Sequence, residues 1–200
     1  MLPDKILLAI FDFCGYENDT TGELEAWATL VHVCRRWRSV VFGSPRRLNL
    51  QLVCSSGTPA RDMLDVWPAL PLVLLCDSAY PIDNIVAVLE HSNRVRQIEF
   101  FEVSNSSSEK TLAATQVPFP ELTDLVLMSY DSFLGGSAPI LRKIWLNGVQ
   151  FPGLPKLLLS ATHLAVLNLW SIRYSSFRIL FTRGHAHCPL HADQPPISLA

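Results

Sequence analysis

The sequence predicts a chain of mixed α and β structure in three parts: a helical module over residues 1–47, a repetitive strand-and-helix region over 48–172, and an unstructured tail over 173–200. Three observations predict it. Apolar residues recur at helical spacing before residue 45, a three-position apolar pattern returns four times between residues 95 and 169, and periodicity is lost after residue 173. Hydrophobic residues make up 49% of the 200, enough for a packed core and too many for a disordered chain.

The first helix is expected over residues 2–14. Pro3 suits a first turn, Asp4 favours the positive end of the helix dipole, and Ile6, Leu7, Ile10, Phe11 and Cys14 recur on one face. Gly15 is placed to end it, and the polar run from Tyr16 to Glu23 reads as a loop. A second helical region starts near Leu24, with Trp27, Leu30, Val31 and Cys34 as its stripe. Trp37, Val40 and Val41 continue that stripe across a kink or short break, until Gly43-Ser44-Pro45 stops it.

From Leu48 the texture changes. Leu48, Leu50, Leu52 and Cys54 alternate with other residues in a strand pattern. Val95-x-x-Ile98-x-Phe100 is followed by Leu122-x-x-Leu125-x-Leu127, Leu141-x-x-Ile144-x-Leu146 and Leu164-x-x-Leu167-x-Leu169, whose first residues stand 27, 19 and 23 positions apart. That spacing straddles the roughly 20–29-residue period of leucine-rich repeats. Leu74 and Leu50, 24 and 48 residues before Ile98, extend the phase to two earlier strands. Ile82, Ile85, Val86 and Leu89 have helical spacing between strands, as do Leu154, Leu157 and Leu158. One strand with its return segment cannot bury its apolar face alone, so units of this kind stack. Trp145 alternates away from the buried positions; with Trp170 it forms a possible substrate face, unless neighbouring units cover both. No capping unit follows, which leaves a truncated array as an alternative.

Composition narrows the function. The net charge of −2 gives no bulk field for nucleic acid or an anionic membrane, and the strongly apolar stretch Ala69–Cys76 is too short to span a bilayer. Five widely spaced cysteines and the lack of a secretory signal point to a reducing compartment, cytoplasmic or nuclear. His185, His187, Cys188 and His191 crowd into the aperiodic tail, so no metal site and no cofactor are expected. Arg35, Arg36, Arg38, Arg46 and Arg47 flank a helical stripe and read as a solvated face. No phosphate-cradling glycine motif or nucleophile elbow occurs, no residue is expected to be catalytic, and the chain is not expected to be an enzyme.

The strings Leu2-Pro3-Asp4-Lys5-Ile6-Leu7-Leu8-Ala9-Ile10-Phe11 and Val33-Cys34-Arg35-Arg36-Trp37-Arg38 closely resemble the F-box family. That family opens with Leu-Pro, an acidic pair, Ile-Leu and Ile-Phe, and closes with Val-Cys-Arg-x-Trp. The likeness covers roughly residues 2–45 and is similar to the F-box proteins abundant in mushroom-forming fungi, where a degenerate leucine-rich region follows. Lys5 replaces a usual acidic residue, and the loop from Tyr16 to Glu23 is longer than the common pattern. The resemblance implies a three-helix module that docks on the S-phase kinase-associated adaptor, and through it a cullin, in an SCF-type cullin–RING E3 ubiquitin ligase. The repeat region would hold the protein substrate. Carried over residue by residue, the adaptor-docking set is Leu2, Pro3, Ile6, Leu7, Ile10, Phe11, Val33, Cys34 and Trp37. The expected fold class is therefore α+β or α/β: an N-terminal three-helix F-box, a short irregular leucine-rich-repeat-like solenoid, and a disordered C-terminal tail. The alternative function is a non-catalytic interaction scaffold, or a truncated F-box protein, that delivers no substrate.

Overall fold

A computed structural model describes residues 2–14, 23–55, 59–77, 81–101, 108–129, 136–149, 154–171 and 197–199. Three helices come first: α1 (Asp4–Cys14), α2 (Glu23–Val33) and α3 (Arg35–Phe42). The amides of Ile6 and Leu7 donate to the Pro3 carbonyl at 3.0 and 3.2 Å, which closes the first turn of α1. The break between α2 and α3 falls at Cys34, whose backbone is extended at φ −161° and ψ 167°. Its Sγ accepts the Trp37 amide at 3.5 Å, so a cysteine caps α3 where serine or threonine more often serves. Gly43 closes α3, its amide donating to the Ser39 carbonyl at 2.9 Å.

The remaining elements alternate: β1 (Leu52–Cys54), α4 (Ala60–Val66), β2 (Leu72–Cys76), α5 (Ile82–Leu89), β3 (Val95–Phe101), α6 (Ser108–Ala114), β4 (Asp124–Met128), β5 (Lys143–Asn147), α7 (Leu154–Ser160), β6 (Val166–Trp170) and β7 (Ile197–Leu199). The strands form one sheet in chain order, with β1 to β6 parallel. Each strand is laid beside the one before it in the chain. The helical spacings at residues 82–89 and 154–158 become α5 and α7.

The apolar phase of the sequence is the register of the sheet. Leu74 pairs with Ile98, Ile98 with Leu125, Leu125 with Ile144, and Ile144 with Leu167. Two residues on, Cys76, Phe100, Leu127, Leu146 and Leu169 make a second row. In both rows the members from β2 to β5 are at most 1% exposed. Leu50 is a correction. The residue opposite Leu74 is Cys54, because the first unit is shorter: Leu52 pairs with Leu72, 20 positions on. Leu50 lies before β1, buried, its amide bonded to the Pro45 carbonyl at 2.9 Å.

The backbone repeats with the side chains. The residue after each of β4, β5 and β6 turns left-handed: Ser129 at φ 55°, Gly148 at φ 67° and Ser171 at φ 47°. Ser129 and Gly148 donate to the carbonyls of Asn147 and Trp170, each the last residue of the next strand, at 2.8 and 3.1 Å. At the entry, the Thr123 carbonyl accepts the amides of Arg142 and Lys143 at 2.8 and 3.0 Å. The Arg142 carbonyl in turn accepts those of Ala165 and Val166 at 2.8 and 2.9 Å.

One core runs through both regions. Trp67, just after α4, has its ring 5.2 Å from Trp27 and 6.2 Å from Phe42, both edge-on. Buried side chains from Leu7 to Leu157 belong to a single cluster. The change at residues 47/48 is thus a change of architecture within continuous packing.

Residues 173–196 of the expected tail lie outside the described ones. Over Ile197–Leu199 the expectation of an unstructured tail is corrected. These residues pair antiparallel with β6, Leu167 opposite Leu199 and Leu169 opposite Ile197. The physical reason is the last edge of the sheet, whose unpaired backbone groups accept an alternating segment such as Ile-Ser-Leu.

Two predictions follow from the packing. Ile144→Ala should cost about 2–5 kcal/mol by urea denaturation, and Ile144→Asp clearly more, since it buries an unpaired charge between two units. The second concerns the core thiols. Burial pushes the Cys54 thiol up to about 11, partly offset by Arg94, and burial raises Cys76 further. A raised folded value means the folded chain holds the proton more tightly. That stability is full below about pH 9 and is lost as pH rises through 11. Cys54→Val should flatten the loss of stability measured between those pH values.

Candidate functional site

Helix α1 is apolar on two sides. Leu7 and Phe11 are 3% and 2% exposed, and Phe11 meets Trp37 edge-on at 4.9 Å. At about 100° per residue, Ile6, Ile10 and Phe13 fall within an arc of about 60° on another side. Ile6 and Ile10 are 47% and 43% exposed there, and Phe13 is 85% exposed. Leu2 and Val33 are also more than half exposed.

The nine residues carried over from the resemblance therefore divide. Leu2, Pro3, Ile6, Ile10, Val33 and Cys34 face outward, Leu7 and Phe11 face the core, and Trp37 is half-buried. Phe13 was not among them. Its signal was present, three residues after Ile10 on the same stripe.

Ion pairs hold this face in place. Arg36 donates to the Asp4 carboxylate at 2.7 Å and also to the Leu2 carbonyl. That brings the α2–α3 break, with Val33 and Cys34, beside the start of α1. Arg47 donates to Asp12 at 2.9 Å, and Arg38 Nε to the Val31 carbonyl at 3.0 Å. The arginine cluster read as a solvated face is thus partly a set of ties between α1, α2 and α3. The carboxylate pairs are solvent-exposed, so each contributes no more than about 1 kcal/mol and acts mainly to orient α1.

A second candidate lies on the open face of the sheet. Trp145 and Trp170 are 47% and 38% exposed, so neighbouring units leave both open. Trp145 stands opposite Asn168, and Asn147 opposite Trp170. Beside them Lys143 pairs with Asp124 at 3.4 Å. The neighbouring acid on β3, Glu99, accepts from Gln97 at 2.6 Å.

Among the described residues, no group of three or more His, Cys, Asp and Glu side chains is placed to hold a metal ion. His185, His187, Cys188 and His191 lie outside those residues. No described helix is long and apolar enough to cross a membrane. No family model, curated protein or solved structure matches the chain.

The division of α1 predicts contrasting stabilities. Ile6→Asp and Ile10→Asp should each change stability by less than about 1 kcal/mol, as surface substitutions do. Phe11→Ala, at a side chain only 2% exposed, should cost about 3–5 kcal/mol. Thermal melts of the three variants, followed by circular dichroism, check the contrast.

Proposed function

We propose that the chain is the substrate-recognition subunit of an SCF-type cullin–RING ubiquitin ligase. In this reading the three N-terminal helices dock on the S-phase kinase-associated adaptor, and the parallel region is a short leucine-rich-repeat-like solenoid whose open face holds a protein target. The chain does no chemistry. It raises the local concentration of target beside the subunits that transfer ubiquitin.

One observation carries the proposal. The motif Leu2-Pro3 … Ile6 … Ile10, which resembles the F-box, coincides with an apolar stripe that the other described residues leave in water. A helix whose inner face is already satisfied has no stability reason to carry Ile6, Ile10 and Phe13 outward. A contiguous exposed stripe of that kind marks a protein contact laid out at helix-in-groove spacing. Cys34 and Val33 extend it at the neighbouring helix break. Trp145 and Trp170 suit the target side, since exposed tryptophans on a rigid sheet concentrate binding energy.

Calorimetric titration of the full chain with the adaptor tests this. Binding is expected, and the double variant Ile6→Asp/Ile10→Asp should weaken it at least about tenfold with an unchanged melt. No heat from a correctly folded chain, or equal affinity of the double variant, would remove the proposal.

A further inference from the structure

The open sheet face can be described residue by residue at β5 and β6. Trp145 and Asn147 lie along one strand, Asn168 and Trp170 along the next, in the register already given. The result is a square tile with tryptophans on one diagonal and asparagines on the other. Adjacent strands are about 4.8 Å apart and alternate residues about 6.7 Å apart, so the two tryptophan Cα positions are separated by about 8 Å. Both rings are open to solvent, at 47% and 38% exposure.

Charge is absent from the tile itself, whose members are two tryptophans and two asparagines. The Asp124 carboxylate already accepts from Lys143 and from the Thr123 hydroxyl, the latter at 2.7 Å. Glu99, which accepts from Gln97, lies two strands away from Trp145, with Val126 between them. The tile itself offers an ionic partner no counter-charge. A carbohydrate, whose hydroxyls are read well by carboxylates, meets only amides on the tile. What remains is two aromatic faces, two indole N–H donors and two amide side chains. That set fits an uncharged strand with apolar rings on one side and unpaired backbone carbonyls on another.

A polyproline-II segment has that chemistry. Its backbone makes no internal hydrogen bonds, and it repeats every three residues at about 3.1 Å each, which places residues i and i+3 on one side about 9 Å apart. The match to the diagonal of the tile is within about 1 Å. The segment is also stiff before it binds, so little ordering entropy opposes it, and a site of four side chains can suffice.

We infer that the Trp145/Trp170 tile binds a Pro-x-x-Pro segment of the target protein, one proline ring on each indole and the asparagine amides on the carbonyls between. This rests on the adaptor reading for its biological role and not for its chemistry. The test uses the full chain on an array of Pro-x-x-Pro peptides with every residue type at the x positions. Each retained peptide is then titrated in solution by tryptophan fluorescence, beside a version with both prolines replaced by alanine and beside a chitin-derived hexasaccharide. The expected result is saturable binding of Pro-x-x-Pro peptides that falls about tenfold or more with Trp145→Ala, with Trp170→Ala and on loss of the prolines. Both variants should keep the wild-type melt and the wild-type affinity for the S-phase kinase-associated adaptor. Retention of no peptide, equal binding of the alanine version, or binding of the hexasaccharide alone would overturn the inference. Failure of adaptor binding with retained peptide binding would count against the ligase reading and leave this site standing.

Discussion

Stacking in register is the interaction on which everything after residue 50 depends. Ile144 sits between Leu125 and Leu167, which are in turn flanked on their far sides by Ile98 and Leu199. No strand in this sheet could bury its apolar row by itself. The stack also decides what is left over. Parallel sheets are usually covered on both faces. Here the row holding Lys143, Trp145 and Asn147 stays half open, while Ile144 and Leu146 are fully buried. At β6 the inner residues Leu167 and Leu169 are only partly buried, as expected of the last parallel strand.

The helical module is fixed to this sheet by aromatic packing. Trp27, Phe42 and Trp67 meet edge-on within 6.2 Å of one another. The joint carries a cost: among the described residues Trp27 Nε1 is buried with no hydrogen-bond partner, and a lost donor of that sort costs about 1–3 kcal/mol. Large edge-on rings offset it through buried area. The functional consequence lies in rigidity. With Phe11 and Trp37 tying α1 to α3, and Trp67 tying α2 and α3 to the sheet, the exposed stripe of α1 and the tryptophan tile are held at a set relation. A bridging protein depends on such a relation when it presents one partner to another.

Much of this was legible in the sequence, for identifiable reasons. The phase of the strands could be read from residue 95 onward because one side-chain type recurs where the geometry demands it. It failed at Leu50 because unit lengths vary, and a constant offset of 24 overshoots a first unit of 20. Helix α4 does carry a helical period, with Ala60, Met63, Leu64 and Trp67 facing the core, but its seven residues are about two turns, too short for the pattern to stand out. The split of Leu2, Ile6 and Ile10 from Leu7 and Phe11 was illegible, because all five are apolar and only the side on which α3 docks separates them. Strand β7 was invisible for a different reason. Ile197–Leu199 pairs with residues 28 to 32 positions earlier, and three residues carry no period of their own.

The central claim is that α1 turns its second apolar side to an adaptor protein while the sheet face stays free for a target. Site-specific photo-crosslinking measures that most directly. A benzophenone side chain is placed at position 10 in one sample and at position 145 in another, and each full chain is irradiated with the S-phase kinase-associated adaptor. The expected result is a covalent adduct to the adaptor from position 10 and none from position 145. Adducts from position 145, or none from either position at saturating adaptor, would contradict the claim.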